Sequence, residues 1–167
     1  MMDDILYRTL LIGVGATLTM DGWAWLQRRL FGIPALDYAL VGRWFCLMGR
    51  GQFVHRDIRA GASVRYERAA GWLIHYITGI FFAALLVWSA GPSWLDQPTL
   101  LPALLLGLFS VGAPFLIMQP ALGFGLAASK TPQPAKARVR SLIAHLSFGV
   151  GLYLATQIAA LASVGVG

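Results

Sequence analysis

The sequence predicts an all-α integral membrane protein, a bundle of four transmembrane helices. Three observations carry this. The chain is 57% hydrophobic and only 12% charged, against roughly 25% charged residues in an average soluble protein. Four stretches have the roughly 20 mostly apolar residues that a bilayer-spanning helix needs. Nearly all of the basic residues are concentrated in two of the segments between those stretches.

The first stretch, about 5–26, is interrupted by Arg8 and Asp21 and is the weakest by hydropathy. The second, 71–90, and the fourth, 141–164, contain no Asp, Glu, Lys or Arg. The third, 100–118, has an uncharged tail to Ser129, in which Pro120, Gly123 and Gly125 argue against a straight helix. The whole of 1–167 is expected to be one transmembrane domain. Its start, M-M-D-D-I-L-Y-R, lacks the positive n-region of a secretory signal and is expected to lead into a retained first helix. No lipidation motif is visible.

Charge sets the expected orientation. Arg28, Arg29, Arg43, Arg50, Arg56, Arg59, Arg65 and Arg68 lie in the loop 27–70, and Lys130, Lys136, Arg138 and Arg140 lie between the third and fourth helices. The intervening G-P-S-W-L-D-Q-P has no basic residue. The positive-inside rule then puts both basic loops in the cytoplasm and both termini in the periplasm. Trp23, Trp25 and Trp72 fall at the inner interface and Trp88 and Trp94 at the outer one, as aromatic belts do. Cytoplasmic loops of this kind account for the net charge of +6 without nucleic acid as a partner. Cys46 is the single cysteine, so an internal disulfide and a CxxC metal site are excluded.

The loop 27–70 is long enough to need structure of its own. Pro34 can open a helix, and Leu36, Leu40, Trp44 and Leu47 then recur at helical spacing, with Asp37 and Arg43 read as the opposite face. The expectation is a short interfacial helix on the membrane surface or a lid packed on the bundle. Cytoplasmic arginines left unpaired would favour anionic lipid headgroups.

A faint repeat runs through the chain. The second helix begins W-L-I-H-Y-I-T-G-I, with His75 and Gly79, and the fourth L-I-A-H-L-S-F-G-V, with His145 and Gly149. The first ends in T-M-D at Asp21 and the third in I-M-Q at Gln119. Two such hairpins would form a parallel repeat about an axis along the membrane normal. Asp21, His75, Gln119 and His145 would then share one depth near the cytoplasmic boundary, with Tyr76 and Trp23 lining the same space.

Ionisable groups in spanning segments are costly and usually face the bundle interior. Asp21, His75, Tyr76, Gln119 and His145 are therefore the candidate ligand-binding residues, with His55 in the loop as a cap from below. Imidazoles and a carboxylate suit a transition metal held by His75, His145 and Asp21. Two histidines also suit haem, and titrating imidazoles suit a polar organic ligand or a proton. The bland alternatives are that Asp21 snorkels or pairs with Arg28, that each histidine bonds a carbonyl, and that Gln119 serves backbone groups freed by Pro120. No HExxH, GxSxG or Cys/His pair marks an enzyme.

Small residues mark the expected packing faces: Gly79 with Ala83, Gly151 with Ala155, and Gly13 with Gly15. Pro114 should kink the third helix.

Several stretches resemble a bacterial family of predicted four-helix inner-membrane proteins, known only as a domain of unknown function. They are G-V-G-A-T-L-T-M-D (13–21), L-D-Y-A-L-V-G-R-W (36–44), G-W-L-I-H-Y (71–76), Q-P-A-L-G-F-G (119–125) and S-L-I-A-H-L-S-F-G (141–149). The resemblance spans nearly the whole chain and implies a bacterial inner-membrane location. It implies no activity, substrate or cofactor. The functional expectation is a multi-pass membrane protein that binds or transports a metal ion or small polar ligand at its polar intramembrane pocket. The alternative is a non-catalytic accessory subunit. Either reading favours self-association or a larger membrane complex in the lipid bilayer.

Overall fold

The computed structural model describes residues 2–164, with side chains to residue 161. Among these residues the chain is all helix and turn. Five helices occur: α1 (Met2–Phe31), α2 (Tyr38–Met48), α3 (Glu67–Ala90), α4 (Leu100–Ala121) and α5 (Pro134–Val164). Three of them, α3, α4 and α5, are long and apolar enough to cross a membrane. In their most apolar stretches only 33%, 28% and 28% of the residues are buried inside the protein. Phe81, Leu105, Phe109 and Ile158 are among the large apolar side chains left outside. α1 has the length but not the apolarity of these three, because Arg8 and Asp21 interrupt its apolar run.

The helices outrun the apolar stretches that announced them. α1 continues through Arg28 and Arg29, which sit favourably in its last turn against the helix dipole, and stops before Gly32 at φ 64°. α5 begins at Pro134, where a missing N–H costs nothing. α4 continues past 118 to Ala121. Its middle widens into a π-helical stretch, Ala113–Met118, led by Pro114. Proline cannot supply the N–H that the carbonyl four residues earlier would accept. Within the stretch the bonds reach five residues back, as from the Gln119 N–H to the Pro114 carbonyl. The helix then ends in a Schellman motif: Phe124 N–H bonds Gln119 C=O at 2.8 Å, Gly123 N–H bonds Pro120 C=O at 3.1 Å, and Gly123 is left-handed at φ 91°.

The chain divides into two compact units. The first comprises the described residues of Met1–Pro34, Tyr76–Ser110 and Ala144–Gly167. In it α1 lies antiparallel to α3. Gly13 meets the Ile80 backbone, Gly79 meets Thr17, and a Cβ at either glycine would collide. Gly15 faces Ala155, and Gly151 faces Ala16 and Thr19, so α1 also runs antiparallel to α5. Gly107 against the His145 carbonyl and Gly149 against Ala103 set α4 on α5 in the same way. The small-residue faces expected around Gly13, Gly15, Gly79 and Gly151 are thus contact faces. At its near end α1 is tied to the α3–α4 connection, where Arg8 donates to Asp96 Oδ1 at 2.7 Å and to the Leu95 carbonyl at 2.6 Å.

The second unit is Ala35–His75 and Val111–Ile143. It holds α2 and most of both arginine- and lysine-rich loops. Its core is Trp44, Ile58, Ala121 and Leu122, with Leu40, Met48, Met118 and Phe124 around it. The expected loop helix therefore exists, and it starts at Tyr38 rather than at Pro34. Asp37 is its N-cap, accepting from Ala39 N–H at 3.0 Å. Leu36 lies outside it and is exposed. The polar-face reading of Arg43 is corrected as well, because this arginine is 8% exposed. At about 100° per residue, Arg43 lies three positions from Leu40 and four from Leu47, on the apolar side.

Candidate functional site

Asp21, His145 and His75 each meet a hydroxyl of a neighbouring helix, whereas Gln119 Oε1 has no hydrogen-bond partner among the described residues. In the first unit Tyr76 Oη donates to Asp21 Oδ2 at 3.0 Å, joining α3 to α1. These are two residues that the sequence placed in one site, and the structure brings them together. His145 on α5 faces Ser110 on α4, with Nδ1 2.7 Å from Oγ. The same hydroxyl donates to the Gly107 carbonyl at 2.7 Å. Ser110 is fully buried.

In the second unit His75 Nε2 lies 2.9 Å from Tyr38 Oη, and the two rings stack with centroids 4.3 Å apart. Trp72 closes the cluster, 4.5 Å from Tyr38 and 5.9 Å edge-on from His75. The cluster exists because α2 and α3 touch backbone to backbone. Gly42 faces Glu67 and Gly71, and Gly71 faces the Tyr38 carbonyl, with no room for a Cβ at either.

Gln119 differs from the others. It is 7% exposed, and its Oε1 has no hydrogen-bond partner among the described residues. His55 Nε2 is in the same condition. Their segments are clasped together: His55 N–H bonds the Ala121 carbonyl at 2.7 Å and Ile58 N–H bonds the Leu122 carbonyl at 3.1 Å. Gly123 faces the carbonyls of His55 and Arg56. Burying a polar group without a partner costs about 1 kcal/mol or more.

One ion pair holds the second unit's loop. Arg43 forks onto Glu67, Nε to Oε2 at 2.8 Å and Nη2 to Oε1 at 2.9 Å. Its Nη1 donates to the carbonyls of Ile58 and Gly61 at 3.0 and 2.9 Å. The Glu67 hydrogen bonds raise the guanidinium's already high pKa further, against the opposing effect of burial. On the surface nearby, Arg59 hydrogen bonds hold the Asp57 carboxyl below its ordinary range.

Asp21 and His145 belong to the first unit, and His75 and Gln119 to the second. The local pairs of Asp21, His145 and His75 use Tyr76, Ser110 and Tyr38, the last two of which sequence reasoning passed over. No group of three or more His, Cys, Asp or Glu among the described residues is placed to hold a metal ion. Also missed were Arg43, Glu67 and the Arg8–Asp96 tether. A signal for Arg43 was present in its spacing from Leu40 and Leu47. The tether had none, since its ends are joined only by the fold.

These features define an all-α protein with three helices apolar enough to span a membrane and polar contacts between its helices. The chain belongs to the family described as "Protein of unknown function (DUF2938)", which matches residues 10–159 and so includes every candidate residue. No curated protein and no solved structure matches the chain.

Proposed function

We propose that the chain is a four-span protein of the bacterial inner membrane, with both termini periplasmic, that holds a small polar ligand on its cytoplasmic side. The observation that carries the fourth span is the antiparallel contact of α1 with α3. Arg8 pairs with Asp96 beyond one end of α3, and Asp21 with Tyr76 near the other. A helix matched to α3 over that length crosses whatever α3 crosses. Arg8 and Asp21 are tolerable there because each is paired, as ionisable groups in spanning helices usually are. The arginine content of the second unit supports its cytoplasmic placement.

The ligand reading rests on Gln119 Oε1 and His55 Nε2, both buried and unpartnered among the described residues. It is a reading for a polar organic molecule rather than a metal ion. Native mass spectrometry of the purified protein should show a retained small molecule that is lost in Gln119→Leu and His55→Leu. A bare protein that these apolar substitutions stabilise would contradict it, since removing an unsatisfied group is favourable when nothing binds there.

The second reading, a non-catalytic accessory subunit, is favoured by the pairing of Asp21, His75 and His145 with neighbouring hydroxyls. Under it the native mass spectrum shows another protein chain in place of a small molecule.

A further inference from the structure

The second unit presents an apolar pair to its surroundings on a segment that is held in place. Phe53 is 56% exposed and Val54 75%. Before them the chain leaves α2 through Arg50 N–H to Leu47 C=O and Gly51 N–H to Met48 C=O, both 2.9 Å, with Gly51 left-handed at φ 76°. The Phe53 carbonyl accepts from Trp44 Nε1 at 2.8 Å, and His55 N–H is bound to the Ala121 carbonyl. The backbone is thus fixed on both sides while the two side chains point away from the core. Arg50 and Arg56 flank the pair, exposed and without an acidic partner among the described residues. From residue 38 to 56 there is no Asp or Glu.

We infer that Arg50–Arg56 is a membrane-surface wedge: Phe53 and Val54 enter the headgroup and acyl boundary of the inner leaflet, and Arg50 and Arg56 sit on the phosphates of anionic phospholipid. The inference rests on the membrane reading above. Two side chains cannot supply the roughly 800 Å² per partner of a stable protein interface. Membrane-surface binding needs only modest apolar area together with attraction to anionic lipid. Charge complementarity favours the same occupant, because uncompensated arginines beside an apolar pair match a negative leaflet.

The test uses single cysteines in a Cys46→Ser background, carrying an environment-sensitive fluorophore, in nanodiscs whose lipids have brominated acyl chains. Phe53→Cys and Val54→Cys report on the wedge. Leu105→Cys, on an exposed face of α4, reports on the membrane reading. Quenching is expected at all three positions in phosphatidylglycerol. At 53 and 54 it should weaken in phosphatidylcholine. Arg50→Gln and Arg56→Gln should each lower the preference for the anionic lipid about fivefold. Quenching at 105 with none at 53 and 54 overturns the wedge and leaves the membrane reading standing. No quenching at any position overturns the membrane reading itself. A shielded but unquenched probe at 53 assigns the segment to a protein contact, which also overturns the wedge.

Discussion

Arg43 shows how one residue can be misplaced by sequence and explained by structure. A lone arginine in a helix reads as solvated, and only its spacing from Leu40 and Leu47 argues otherwise. Its partner Glu67 lies 24 residues away, beyond any local pattern. Buried arginine is stable here because all three guanidinium nitrogens have acceptors. Arg43→Met is expected to cost about 3–5 kcal/mol by stranding Glu67. The double variant Arg43→Met with Glu67→Leu should recover much of that, because removing both charges removes the stranded one. Chemical denaturation in detergent measures both. Asp21, His75, Gln119 and His145 were legible as unusual because charge and imidazole stand out in apolar sequence. Tyr38 and Ser110 were not, since hydroxyls are common in helices and carry no signal of depth. Tyr76→Phe is expected to lower stability by about 1 kcal/mol through the lost hydrogen bond to Asp21.

Helix boundaries followed a different logic from residue identity. Hydropathy located α3, α4 and α5 because their apolar runs are long, and it cut them short because a helix does not stop where polarity begins. α1 runs on to Phe31 and α5 starts at Pro134 for capping reasons that hydropathy cannot see. The π-helical stretch was foreshadowed by Pro114 as a kink, whereas its form depends on which carbonyl finds a donor. Packing faces were legible from small residues, though not their partners. A Cβ at Gly22 would have no neighbour within 4 Å, whereas one at Gly13 would meet the Ile80 backbone. Gly22→Ala is therefore expected to be neutral or to stabilise by up to about 1 kcal/mol, as helix propensity dictates. Gly13→Ala should destabilise by about 1–3 kcal/mol through overpacking. Gly71→Ala should likewise force α2 from α3, read as lost protection of α2 amides in hydrogen exchange. Equal stability of the Gly13 and Gly22 variants would mean that α1 does not pack where the structure puts it.

At the scale of the whole molecule, the family is the one the sequence resembled, and the all-α architecture has three helices long and apolar enough to span a membrane. The division into two units was not legible, because it depends on backbone bonds from the 53–61 segment to the end of α4. We propose that α1 crosses the bilayer beside α3. The three apolar helices alone would put Gly61 and the C-terminus on opposite sides with or without α1, so only the N-terminal end decides the matter. The direct measurement is cysteine accessibility in intact cells, in a Cys46→Ser background, with a membrane-impermeant maleimide applied to Asp3→Cys and Gly61→Cys proteins. Asp3→Cys is expected to be labelled from outside and Gly61→Cys only after lysis. Labelling of both positions from the same side would contradict it.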